Sequence, residues 1–218
     1  MTRFIAAAVS VMFFLSAPVG AQQTTSEPAQ ANPDERPQQI VDALHAGLLD
    51  IMKRGPELGF SGRNDVIAPV VQETFDIRIL SATAIGIRRW SSWTQAQKDS
   101  YIDAFGRFMS ANYARQFDSY SGQEFEFIAL EPGPKSTYLV KTHINRPDKD
   151  PIELTYLTRE REGRVGIIDV LLGGKISEAA RRRSEFSVIY RDHGFDGLIA
   201  SIENQIRRFE AETPDDSG

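Results

Sequence analysis

The stretch EFEFIALEPGPKSTYLVKTHINRPDKDPIELTYLTREREGRVGIIDVLL, residues 124–172, decides the fold. Side chains along a strand point alternately to its two faces, so an apolar residue at every second position marks a half-buried strand. Residues 124–130 set Phe125 and Phe127 against Glu124 and Glu126. Residues 135–144 set Tyr138, Val140, Thr142 and Ile144 against Leu139, Lys141 and His143. Residues 152–158 set Ile152, Leu154 and Tyr156 against Glu153 and Thr155. In residues 164–172, Val165, Ile167, Asp169 and Leu171 share one face, and Ile168, Val170 and Leu172 the other. The connections, residues 131–134, 145–151 and 160–163, are short and rich in turn formers, so the four strands are expected to form an antiparallel meander. The fourth is apolar on both faces except at Asp169, which predicts a place inside the sheet and not at its edge.

On either side of this stretch the period is helical. Ile40, Val41, Leu44, Leu48, Ile51 and Met52 recur at helical spacings from Gln38, and Gly55-Pro56 ends the run. A second helix is expected over residues 61–75, with Ser61 as its N-cap, and a short third over 76–87. Trp90 and Trp93 then fall in a connection. The longest helix begins at Thr94, which forms a capping box with Gln97. Tyr101, Phe105, Phe108, Met109, Tyr113, Phe117 and Tyr120 make an aromatic stripe along it, stopped by Ser121-Gly122. After the strands come two helices, over residues 177–192 and 196–210, parted at Gly194. Helices, then strands, then helices, without βαβ alternation, predict an α+β fold.

The chain opens with one positive charge at Arg3, an apolar run over residues 4–17 and a small-residue end, Pro18-Val19-Gly20-Ala21. This is the plan of a secretory signal cleaved after Ala21. A membrane-spanning helix needs about 20 apolar residues, more than this run offers before Pro18. Residues 22–37 read as a flexible leader, 38–212 as the folded domain and 213–218 as a disordered tail. The formal net charge is −5, with 30 acidic against 25 basic side chains. That argues against nucleic-acid binding, which needs a basic face. The chain has no cysteine, so its stability must come from an apolar core.

The residues that commonly carry chemistry are sparse. His45, His143 and His193 are far apart and in no metal-ligand spacing. No nucleophile elbow, phosphate-binding glycine loop or zinc-protease motif is present. A hydrolase or isomerase would need distant groups, such as Asp169 and His143, to converge. Asp169 itself should pair with a base or accept backbone donors, since a bare buried carboxylate is costly. Lys175, Arg181, Arg182 and Arg183 are either a solvated face or a cationic lip for an anionic head group or an acidic partner. The aromatic stripe is either core or the wall of a long apolar cavity.

The run Gly86-x3-Trp90, Thr94-x2-Gln97, Phe105-x2-Phe108-Met109-x3-Tyr113-Ala114-x2-Phe117-x2-Tyr120 resembles the MlaC family. So do Ile168-Asp169-Val170, Ile176-Ser177, Arg183-Ser184-x-Phe186 and Gly194-Phe195-Asp196-Gly197-Leu198-Ile199 further on. Glu178 and Arg182 replace the family's usual Leu and Tyr, and residues 176–186 look closer to the hopanoid-associated HpnM branch. The resemblance implies helices packed on a curved antiparallel four-stranded meander, with an apolar lipid pocket between helices and sheet. It implies no enzymatic activity, cofactor or metal. The function implied is that of a soluble periplasmic lipid carrier, of the kind once called toluene-tolerance proteins, serving outer-membrane lipid asymmetry. Its partners would be a phospholipid or other membrane lipid, an inner-membrane MCE-type ABC transporter complex and an outer-membrane lipoprotein complex. On the faces inferred from the strands and the long helix, Trp90, Tyr101, Phe105, Phe108, Tyr113, Tyr138, Val140, Leu154, Tyr156, Ile168 and Val170 are the lipid-binding candidates. Lys175, Arg181, Arg182 and Arg183 are those for the head group or a partner. A hopanoid carrier and an exported adaptor without a small-molecule ligand stand as alternatives.

Overall fold

The computed structural model describes residues 35–212. The expected signal, most of the leader and the tail lie outside the described residues. Helix α1 (Arg36–Lys53) starts with Pro37 in its first turn, where a missing N–H costs nothing. It buries Val41, Leu44, Leu48 and Ile51 on its apolar stripe. Helix α2 (Gly55–Thr74) begins six residues before the expected Ser61 and breaks at Gly59, whose φ of 60° suits a residue without a β-carbon. The buried Arg63 of α2 donates to the backbone oxygens of Ala114 and Gly55, both at 2.9 Å, and so ties α2 to the helix that crosses it.

Asp76 caps helix α3 (Ile77–Ile85) by accepting from the Ile79 amide at 3.0 Å. A six-residue helix, α4 (Ile87–Ser92), follows in place of the expected connection, so Trp90 is helical and only Trp93 lies beyond it. Helix α5 (Gln95–Gln116) has the predicted capping box at Thr94 and Gln97. It ends at Gln116, a turn before the predicted stop, and leaves Tyr120 42% exposed.

Strands β1 (Glu124–Gly133), β2 (Thr137–Arg146), β3 (Lys149–Arg161) and β4 (Arg164–Leu172) form the predicted meander, each antiparallel to the last. The sheet has a fifth strand, β5 (Ile176–Ser177), paired with the end of β4. The rest of that edge of β4 is closed by Phe75 and Asp76: Phe75 bridges Ile167, and the Asp76 amide donates to the Ile167 oxygen at 2.9 Å. Gly166 permits this approach, since a β-carbon there would stand 3.0 Å from the Asp76 nitrogen. β4 is therefore interior, as its apolar sequence predicts, but by short pieces of cover.

Strict alternation along β4 fails at Ile168. Ile167 faces Thr158 and Asp169 faces Leu157, so Ile168 is an extra residue that reverses the faces of the residues after it. Ile167 and Val170, expected on opposite faces, both join the core side. Ile128 is the matching irregularity between β1 and β2 and is exposed.

Helix α6 (Glu178–Glu212) covers both expected closing helices, broken at Gly194 with φ of 67°. Its buried Phe186 packs edge-on to Tyr101, Phe105 and Phe108 of α5, with ring centroids 6.1–6.4 Å apart. The helices thus close over one face of the sheet, and the main core lies between them and it.

Candidate functional site

The helices and the sheet do not meet everywhere. At the end of the sheet formed by Ile144, Ile152, Leu154 and Leu172 they leave a cavity of about 480 Å³, within the roughly 300–1,000 Å³ usual for small-molecule pockets. Leu48 and Met52 of α1, Phe75, Leu80 of α3, and Phe105, Phe108, Met109 and Tyr113 of α5 supply its helical walls. Tyr156, Leu154 and Val170 form its sheet side. Its exposed lining residues, Gln116, Asp118, Ser119, Leu172 and Arg181, mark the opening. Large rings on α5 and β3 hold the two layers apart where smaller side chains would let them close.

The buried polar groups at and behind this wall are mostly satisfied. Tyr156 is buried, and its hydroxyl hydrogen-bonds His45 Nε2 at 3.0 Å. His45 stacks on Phe125 with centroids 4.0 Å apart, and burial lowers its pKa to about 4. Burial raises the pKa of Tyr113 and Tyr156, with Glu178 adding to the effect at Tyr113 and Tyr113 to that at Tyr156. All three are neutral at physiological pH. Asp169 accepts from the amides of Val170 and Ala179, at 2.8 and 3.1 Å, and from Ser177 Oγ at 2.5 Å. Its charge therefore sits at the N-terminus of α6, where the helix dipole favours it, and backbone donors satisfy it, as its sequence setting requires.

The apolar candidates divide. Phe105, Phe108, Tyr113, Leu154, Tyr156 and Val170 line the cavity. Trp90 and Tyr101 lie in a packed aromatic cluster with Trp93, where the Tyr101 hydroxyl finds no protein partner. Val140 is wholly buried in the core, Tyr138 sits at the opposite end of β2, and Ile168 is turned away by the bulge. The cations divide too. Arg181 and Arg182 reach the cavity but pair with Glu178 and Glu185, and Arg182 lies over the Phe108 ring at 4.6 Å. Lys175 and Arg183 do not line it.

Arg146, at the end of β2, also lines the cavity and was not among the sequence candidates. Its NH2 donates to the Asp150 oxygen at 2.8 Å, its Nε is buried without a partner, and among the described residues no carboxylate pairs with it. A charged residue ending a strand before Pro147-Asp148 reads as an ordinary turn residue, so the sequence held no signal for it.

His143 and Asp169 do not converge. His143 faces Glu153 and Asp169 faces Leu157, four residues further along β3, which separates them by about 13 Å along the strands at about 3.3 Å per residue. Among the described residues no cluster of three or more His, Asp or Glu side chains is placed to hold a metal ion, and no helix is long and apolar enough to cross a membrane.

A helix-capped antiparallel meander with a largely apolar cavity and a polar mouth defines an α+β protein with a pocket suited to an apolar ligand. The family model described as "MlaC protein" matches residues 42–204, and the chain belongs to the MlaC family. Its fold is similar to that of the phospholipid-binding protein from Ralstonia solanacearum, solved in complex with a phospholipid. The TM-score is 0.67 at 16% identity, covering 82% of this chain and 99% of that one.

Proposed function

We propose that this chain is a periplasmic carrier that holds the acyl chains of a phospholipid in the cavity between α5, α6 and the sheet. The observation that carries this reading is a cavity of about 480 Å³ walled mainly by apolar side chains and opening to solvent beside polar ones. Each methylene transferred from water into such a space contributes about 0.8 kcal/mol, so acyl chains need no elaborate polar site. Family membership and the phospholipid bound by the Ralstonia protein support the same reading. The guanidinium of Arg146, which has no carboxylate partner among the described residues, favours a lipid bearing a phosphate over an uncharged polycyclic lipid such as a hopanoid.

In this account residues 1–21 direct export and are removed, leaving a carrier free to move between the two membranes. It would exchange lipid with an inner-membrane MCE-type transporter and an outer-membrane lipoprotein complex. The mass of the exported polypeptide tests the first part: a chain beginning at Gln22 is expected, and a retained N-terminus contradicts it. Met109→Trp tests the pocket. Met109 is half-buried on the cavity wall, so the larger side chain should fill the space and lower the lipid-loaded fraction several-fold while the domain stays folded. Unchanged loading in a folded variant would place the lipid elsewhere.

A further inference from the structure

Residues 77–98 contain no acidic side chain, in a chain that has 30. They carry Arg78, Arg88, Arg89 and Lys98, and α4 in their midst turns Ile87 outward, 70% exposed. Arg78 and Lys98 stand over the Trp90 ring, 5.7 and 5.8 Å from its centroid. Arg89 donates to Ser187 Oγ at 2.6 Å and lies over the Tyr190 ring at 5.3 Å, which joins α4 to the first half of α6. There Arg183 runs past Gly86, its Cδ 3.4 Å from the place a β-carbon would occupy, and Val188 is 47% exposed.

Among the described residues none of these five cations forms a salt bridge, whereas Arg181, Arg182 and Arg191 on the same helix all do. The nearby acids are engaged elsewhere: Asp76 with Arg161, Asp99 with Gln95, Glu185 with Arg182. The result is a local excess of positive charge on a chain whose net charge is −5, with an exposed aliphatic side chain on each of the two helices, Ile87 on α4 and Val188 on α6.

We propose that this face, α4 with the adjoining turns of α6, docks the protein on the anionic surface of a lipid bilayer. Ile87 and Val188 enter the headgroup layer, and the five cations lie among its phosphates. Cations near an anionic leaflet gain an attraction that fades within a Debye length, and exposed apolar side chains add depth to the contact. A bilayer accepts both without a shape-matched recess. Arg183 directly follows Arg182, which lines the cavity, so the docking face and the cavity wall share one turn of α6. The inference does not depend on what fills the cavity.

The test is co-sedimentation of the purified exported protein with vesicles of phosphatidylglycerol in phosphatidylethanolamine, and with vesicles of phosphatidylcholine alone. Binding to the first is expected, weakening as salt rises, with little to the second. The double variant R88Q/R183Q should lose about tenfold or more of its partitioning. Ile87→Ser should lose less, and Arg208→Gln, a cation outside this face, should bind like the parent. Circular dichroism checks that each variant is folded. Equal binding to both vesicle types, no binding to either, or undiminished binding by R88Q/R183Q overturns the proposal, even if the face then proves to bind an acidic protein. Lipid content measured on the same samples keeps the carrier reading separate: a protein without lipid contradicts that reading and leaves this result standing.

Discussion

Asp169 and His45 are buried polar groups with opposite histories in the sequence. Asp169 interrupts an apolar strand, and its need for donors is legible from that setting alone; the donors prove to be the neighbouring Val170 amide and, at the start of α6, the Ala179 amide and the Ser177 hydroxyl. His45 sits on an ordinary amphipathic helix, and nothing local to it announces Tyr156 or Phe125, which are 111 and 80 residues away and meet it only in the fold. Its pKa is lowered from 6.5 to about 4 by burial, so the folded state favours the neutral ring. The unfolded chain then binds the extra proton between those values, and stability falls as pH drops from about 6.5 towards 4, levelling off below. The loss attributable to this residue is at most about 3 kcal/mol. Denaturant unfolding across that range should show a shallower decline for His45→Gln than for the parent; parallel curves would mean His45 is not buried as described. Arg146 teaches the complementary lesson. Its role depends on which cations find carboxylates, and a sequence does not show that: the conspicuous Arg181 and Arg182 are paired, and the inconspicuous Arg146 is not.

At the scale of elements, those with strong local signals form where expected. Thr94 and Gln97 satisfy each other's backbone donors at the start of α5, and the 22-residue helix they open supplies Phe105, Phe108, Met109 and Tyr113 to the cavity wall. Thr94→Ala should cost about 1 kcal/mol, read as a lowered denaturant midpoint with unchanged slope; no change would mean the cap is dispensable in the folded domain. The meander is equally legible, because alternation and turn residues agree. Two things are not. Helix α4 has six residues, no side-chain cap and two serines after its tryptophan, too short a run for any period to show. The bulge at Ile168 inserts one residue without changing composition, yet it exchanges the faces of β4 beyond it, and Ile168 stays buried without lining the cavity. The early end of α5 at Gln116 has a similar effect on Tyr120, which leaves the aromatic stripe for the surface.

The whole molecule is where core and cavity part company. The aromatic stripe of α5 offers two readings, and both are realised. Tyr101 lies within a solid cluster with Trp93 and Phe186, whereas Met109 and Tyr113 look into open space, and Phe105 and Phe108 belong to both. The difference lies in what each ring meets: Phe186 of α6 fills the gap over the first half of the stripe, while beyond it the layers stay apart. Spacing along one helix cannot encode that, since it depends on how far α6 and β4 reach. The same geometry sets cations of the α6 segment on two faces, Arg181 and Arg182 towards the cavity and Arg183 towards α4. The central claim is that this cavity carries a lipid. Native mass spectrometry of the exported protein, followed by solvent extraction and lipid analysis, tests it most directly. The account predicts a species heavier than the polypeptide by one phospholipid, recovered in the extract; a bare polypeptide mass with no extractable lipid would contradict it.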